Sequence, residues 1–208
     1  STHVQKTGVN YTALAADRAP LSAYLDSLAP ADLSGATPAE KKAFWINAYN
    51  AMTLDVMAEE WPVSSILTID FGRVWKTRER MLAREIRTLD AIEHELLRPM
   101  GDARIHAAIV CASKSCPPLS TTVYNATDLD AQLDAASRAW VATTAATLNR
   151  KKKHISLSRI LEWFGEDFTA HAERLGRNHG HLSPLSGANF RRAGDTLNAP
   201  VRVHNDLA

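Results

Sequence analysis

Chemistry in this chain concentrates in one short segment. Arg104-Ile105-His106-Ala107-Ala108-Ile109-Val110-Cys111-Ala112-Ser113-Lys114-Ser115-Cys116-Pro117-Pro118-Leu119 holds both cysteines of the protein and a histidine ahead of them. A cysteine attacks as its thiolate, and a neighbouring imidazolium or other cation lowers its pKa from about 8.5 toward neutrality. Cys116 as nucleophile and His106 as base would form such a pair, with Arg104 and Lys114 as further cations close by. Ser115 and the loop amides could donate to a developing oxyanion, and Glu93 or Asn47 could orient the histidine. That set gives acyl transfer or hydrolysis through a thioester, on an amide or peptide-like substrate. The competing reading is a disulfide. Four residues lie between Cys111 and Cys116, a span that a turn bridges once the Cα atoms come within about 7 Å. The cysteines would then only brace the loop beside a noncatalytic pocket for a peptide or small molecule, with Asn47, Tyr49 and Asn50 supplying hydrogen bonds. On the residues alone both readings stay open.

The elements around the segment decide what can meet. Ile105 to Ala112 is almost wholly apolar and reads as a strand buried on both faces, with His106 at its mouth. Ser-Lys-Ser and Pro-Pro then force a loop. Thr37-Pro38-Ala39-Glu40 is a capping box with proline in the first helical turn. From Phe44 to Met57 the helix that follows is apolar nearly all round, which marks it as central. Asn47 and Asn50 share one of its faces, and a buried amide left unpaired costs roughly 1–3 kcal/mol. Asn50 is read as holding a neighbouring loop, and Asn47 as either a loop holder or a pocket liner.

Tyr11 to Leu28 suits two short helices restarted at Pro20. Ser65 to Ile69 suits a strand, and Met81 to Ile86 another. Thr88-Leu89-Asp90 caps a helix that carries Glu93, His94 and Arg98 and closes at Pro99 and Gly101. Glu93 and His94 are adjacent, so they point to different faces and one at most enters any pocket. Thr127 to Leu148 reads as an amphipathic helix, Ile155 to Leu157 as a short strand, Ser158 to Phe168 as helix and Val201 to Val203 as a last strand. Helices outnumber dispersed strands, so the fold class is α+β: a mostly helical single domain over 1–208 with a central buried helix and a small sheet. Residues 1–10 form a lead-in, 11–170 the core and 171–208 an irregular C-terminal segment.

The bulk composition excludes several classes. With 208 residues, 45% hydrophobic and 23% charged, the chain has ordinary globular composition. Its 24 basic and 23 acidic residues leave a net charge of +1, which argues against a nucleic-acid partner. The basic run Arg150-Lys151-Lys152-Lys153-His154 suits a solvated turn. No apolar run reaches the length of a membrane span. Eight histidines are present, but no His-Glu-x-x-His, Cys-x-x-Cys or calcium-loop spacing appears, and His179-Gly180-His181 falls in a loop-like stretch. Phosphate and dinucleotide fingerprints are missing too, so neither metal nor cofactor is expected, and the partner is a small-molecule or peptide ligand.

Several motifs together resemble a known family. Lys42-Ala43-Phe44-Trp45-Ile46-Asn47-Ala48-Tyr49-Asn50-Ala51, Thr88-Leu89-Asp90-Ala91-Ile92-Glu93-His94, the His106 segment with Ser115-Cys116-Pro117-Pro118, and Glu162-Trp163-Phe164-Gly165-Glu166-Asp167-Phe168 resemble the bacterial and plant family catalogued as domain of unknown function 547. Bacterial members of that family are often exported, so the resemblance implies a periplasmic or secreted protein, which a mature chain beginning at Ser1 would match. The family is loosely similar to papain-like and transglutaminase-like thiol enzymes, in which a cysteine heads a central helix and a histidine opens a strand. His106 fits the histidine position. Asn47 stands where the cysteine would be, so a thiol mechanism here must draw Cys116 from the loop.

Overall fold

A capped, buried helix sets the frame. In the computed structural model, which describes residues 4–5, 8–112, 116–149, 154–179 and 201–203, the helix α3 spans Pro38–Glu59. Both halves of the expected capping box form: the Thr37 side chain accepts from the Glu40 amide at 3.3 Å, and the Glu40 carboxylate accepts from the Thr37 amide at 2.7 Å. Trp45, Ile46, Ala48, Tyr49 and Met52 of α3 are buried in the main core. Helices α1 (Tyr11–Ala16) and α2 (Ala19–Leu28) pack on α3 and are broken ahead of Pro20.

Beyond α3 the chain forms a short helix α4 (Val74–Thr77) and a hairpin of β3 (Glu79–Leu82) with β4 (Glu85–Thr88). Its turn uses Ala83 and Arg84 at positive φ, and their amides donate to Leu28 and Ala29 carbonyls at 3.0 and 2.8 Å. Those two bonds, made to the end of α2, offset the cost of a left-handed turn without glycine. The Thr88 hydroxyl then caps α5 (Leu89–Ala91), as its sequence predicts. The helix widens without a break into a π-helical turn over Ile92–Leu97 and tightens over Arg98–Met100 before Gly101, at φ 69°, stops it. At the N-terminus a two-residue ribbon pairs β1 (Val4–Gln5) with β2 (Gly8–Val9).

Four strand and helix expectations change. Met81 to Ile86 is not one strand: it crosses the hairpin turn at Ala83 and Arg84, with Met81 on β3 facing Ile86 on β4. Ser65 to Ile69 is not a strand: the Ser65 side chain accepts from the Leu67 amide at 3.2 Å and starts tight helical turns over Ile66–Gly72. Ile105 to Ala112 is not a strand either. Asp102 caps a 3₁₀ turn over Ala103–Ala107, and the chain then runs on with no β partner among the described residues. Its backbone is satisfied instead by Asn50 of α3, which donates to the Ala108 carbonyl and accepts from the Val110 amide, both at 2.9 Å. The predicted helix from Thr127 to Leu148 keeps only its first part. Helix α6 (Leu129–Trp140) ends in a π-helical turn over Val141–Ala145, and Ala146–Asn149 becomes β5. Strand β5 pairs antiparallel with β6 (His154–Leu157), and β7 (Val201–Val203) lies parallel to β6.

The last helical pair closes over the His106 turn. The Ser158 side chain caps α7 (Arg159–Trp163), and α8 (Gly165–His179) follows after a break at Phe164. Helix α8 therefore carries regular structure to His179, into the stretch read as irregular. The whole is mostly helical with small sheets, the α+β class expected. No helix among the described residues is long and apolar enough to cross a membrane.

Candidate functional site

His106 is almost wholly buried, with 2% of its surface exposed, and forms one wall of a cleft of about 210 Å³. The 3₁₀ turn places it under α7 and α8, where Phe164 stacks on the imidazole at 4.1 Å between centroids and 19° between planes. Nε2 lies 2.8 Å from Asp167 Oδ2. Asp167 is fixed in turn by Arg98, whose Nε and Nη2 donate to its two oxygens at 2.7 and 3.0 Å. That guanidinium, more than His106, holds the Asp167 carboxyl below the usual range. Burial pushes the His106 pKa down against the pull of Asp167, which favours the neutral ring. With Nε2–H donating to the carboxylate, Nδ1 is the acceptor. It lies 3.9 Å from Glu93 Oε1.

Glu93 comes from the π-helical turn after α5. Tyr49 of α3, fully enclosed, donates its hydroxyl to Oε2 at 3.1 Å, and Trp75 of α4 lines the cleft with them. Burial raises the Glu93 pKa, and the pull of His94, Tyr49 and Arg98 does not cancel it. The Tyr49 hydroxyl is likewise pushed well up, first by burial and then by the Glu93 charge. The cleft thus brings together an imidazole acceptor, a carboxyl group and a phenol on an aromatic wall. Such a set can bind a polar group and exchange a proton with it.

The cysteines meet in the same cleft, joined to each other. Cys111 and Cys116 form a disulfide with Cα atoms 6.2 Å apart, and no described cysteine is free. Both line the cleft with His106. The Cys111 amide donates to Cys116 Sγ at 3.3 Å, and the Thr144 hydroxyl donates to the Cys116 carbonyl at 3.0 Å. Cys116 is therefore held in the bridge weighed above, not presented as a thiolate. Ser115 and Lys114 lie outside the described residues, as does the basic run from Arg150 up to, but not including, His154.

Of the residues singled out in the sequence, Cys116, His106, Glu93 and Tyr49 converge, and Asn47, Asn50 and Arg104 do other work. Asn47 donates to the Tyr124 carbonyl at 2.8 Å and accepts from the Tyr124 amide at 2.9 Å. It pins the loop after Pro118 and orients no histidine. Asn50 clamps the Ala108–Val110 segment, as expected. Arg104 turns away from the cysteines to a carboxylate cluster, bonding Asp102 at 2.9 and 2.8 Å and both Asp130 and Asp134 at 2.7 Å. The residue that orients His106 is Asp167, which sequence reasoning missed. Sixty-one positions separate the two, and the only signal was its place in the Glu162-to-Phe168 motif. No group of three potential metal ligands is assembled among the described residues.

A family model described as "Protein of unknown function, DUF547" matches residues 33–141. That range contains Tyr49, Glu93, His106 and both cysteines, and stops short of Trp163, Phe164 and Asp167. No curated protein and no solved structure matches the chain.

Proposed function

The chain belongs to the DUF547 family of proteins of unknown function, and on that premise we propose that it is a noncatalytic binding domain for a small ligand. The ligand enters the cleft of Tyr49, Glu93 and His106. One observation carries this reading: the Cys111–Cys116 disulfide lines that cleft. A bridged cysteine has no thiolate, so the wall that would hold a nucleophile holds a brace. The apolar and aromatic lining, with a few convergent polar atoms at its floor, is the usual composition of a small-molecule site. A disulfide also suits an oxidising compartment, in keeping with an exported protein.

A second reading, thiol-dependent acyl transfer or hydrolysis, draws on one further observation. Once reduced, Cys116 would share its cleft with an imidazole that Asp167 already orients at 2.8 Å. Alkylation separates the two. Iodoacetamide is applied to the unreduced protein from pH 5 to 9 and the products are mapped by peptide mass spectrometry. The expected result is no labelling at either cysteine until reductant is added. Rapid labelling of Cys116 without reductant, well below its reference pKa and slowed in His106→Ala, would overturn the binding reading in favour of a thiolate–imidazole pair.

A further inference from the structure

We infer that the cleft selects an organic cation, a ligand whose ammonium group sits against Glu93 and the face of Trp75. The inference rests on the binding reading above and names its ligand class. Among the described residues lining the cleft are the rings of Tyr49, Trp75, Trp163 and Phe164, the imidazoles of His94 and His106, and two carboxylates, with neither lysine nor arginine. Of the carboxylates, Asp90 has Lys76 at 3.9 Å and His94 at 3.8 Å, and Glu93 has only His106 at 3.9 Å within ion-pair distance. An aromatic face attracts cations through its quadrupole, and the attraction grows when the site is desolvated.

Glu93 sharpens this. Two other carboxylates taken out of solvent have basic partners: Asp55 has Arg18 and Arg80, and Asp102 has Lys42 and Arg104. Glu93 has 13% of its side chain exposed, yet its nearest polar partners are the Tyr49 hydroxyl at 3.1 Å and His106 Nδ1 at 3.9 Å. No lysine or arginine among the described residues lies within ion-pair distance of it. His106 does not fill the gap, because burial favours its neutral form. A carboxylate in this setting gains most from a cation that arrives with the ligand. An anionic ligand would meet Asp90 and Glu93, and a neutral one would leave Glu93 as it is.

The rings are not equivalent. Arg98 stands over Phe164 at 5.0 Å and Arg159 over Trp163 at 5.5 Å. Trp75 lines the cleft beside Glu93 and Tyr49, whose hydroxyl donates to Glu93 at 3.1 Å, and no guanidinium among the described residues stands over its ring. An indole and a carboxylate thus line one cleft, which is the pairing a quaternary or primary ammonium requires.

Choline and 3,3-dimethylbutan-1-ol test this, because they share a shape and differ in a charged nitrogen against a neutral carbon. Calorimetric titration of the intact, unreduced protein should show choline binding at least tenfold more tightly. Glu93→Gln, which keeps the size of the side chain and a partner for Tyr49, should remove that preference and leave the alcohol's affinity unchanged. Trp75→Leu should weaken choline more than the alcohol. Equal binding of the two compounds, unmoved by Glu93→Gln, overturns the cation assignment while the binding cleft stands. Binding of neither overturns the assignment too, and the alkylation experiment then decides the fate of the binding reading separately.

Discussion

Asp102 and Glu93 are both carboxylates drawn out of solvent, and the protein treats them in opposite ways. Asp102 receives Lys42 at 2.8 Å and a two-pronged bond from Arg104 at 2.9 and 2.8 Å, with His171 at 3.8 Å beyond. Burial works against its ionisation, but Arg104 and Lys42 outweigh burial and hold the carboxyl far below its usual range. Glu93 receives one phenol hydroxyl, and burial wins. The first arrangement ties α3 to the 3₁₀ turn over Ala103–Ala107 and to α6, and it is complete without a ligand. The second leaves a carboxyl group facing a cleft. Saturated pairing marks a carboxylate that holds the fold, and incomplete pairing marks one that waits for a partner.

The largest expected effect breaks the saturated side. Asp102→Ala leaves Lys42 and Arg104 without their shared acceptor and should cost about 3–5 kcal/mol, as removing one partner of a buried pair does. Urea unfolding measures it. The sign with pH follows from the depressed pKa. The stabilisation is present above the unfolded value of about 3.9, and it is lost as pH falls through the folded value. The gap between wild type and Asp102→Asn should therefore stay constant from neutral to mildly acidic pH and close only in strong acid. A loss below about 1 kcal/mol would mean that the pairing is as weak as a surface bridge, and the comparison would fail.

Intermediate effects fall on the cleft's backbone. Asn50→Ala removes both hydrogen bonds that replace a sheet for Ala108–Val110, and should cost about 2–4 kcal/mol with faster hydrogen exchange at the Val110 amide. Reducing the disulfide frees a loop of only five residues' separation, so the loss should be smaller, about 2 kcal/mol. Both changes should loosen the cleft wall and leave the Asp102 cluster intact. Equal protection lost in the two regions would show that the cleft has no stability of its own.

These contrasts were only partly legible in the sequence. The capping box, the all-apolar face of α3 and the Thr88 cap are local signals, and each forms where its residues stand. Hydrophobic periodicity identified Ile105 to Ala112 as buried, yet it could not say what satisfies the backbone. A side-chain amide from α3 does what a neighbouring strand would otherwise do, and no periodicity encodes that. Arg104 looked like a cation for the cysteines because it is near them in sequence. Its partners are Asp102 beside it and Asp130 and Asp134, which lie one turn apart on α6, a spacing the amphipathic pattern contains but does not assign. Asp167 was missed for the same reason at greater range: an aspartate on a helix carries no mark of the histidine it will meet.

The smallest effect has the most to say, because its sign is reversed. The folded-state pKa of Glu93 is raised, so its contribution to stability is fully present below the unfolded value of about 4.3 and is lost as pH rises through the folded value. Glu93→Gln should therefore match wild type near pH 4 and gain on it at pH 8, by up to about 1 kcal/mol. Asp102→Asn should behave otherwise, less stable than wild type at pH 8 by a gap that persists into mildly acidic pH and closes only in strong acid. Urea unfolding of the two variants at several pH values measures both. A Glu93→Gln variant less stable than wild type at pH 8 would place Glu93 with Asp102 as a structural carboxylate, and the cleft would lose its claim to a cation. If the gain appears, saturating choline should erase it by stabilising wild type more than the variant, since a ligand that binds the folded state through the charge of Glu93 supplies what the fold withholds.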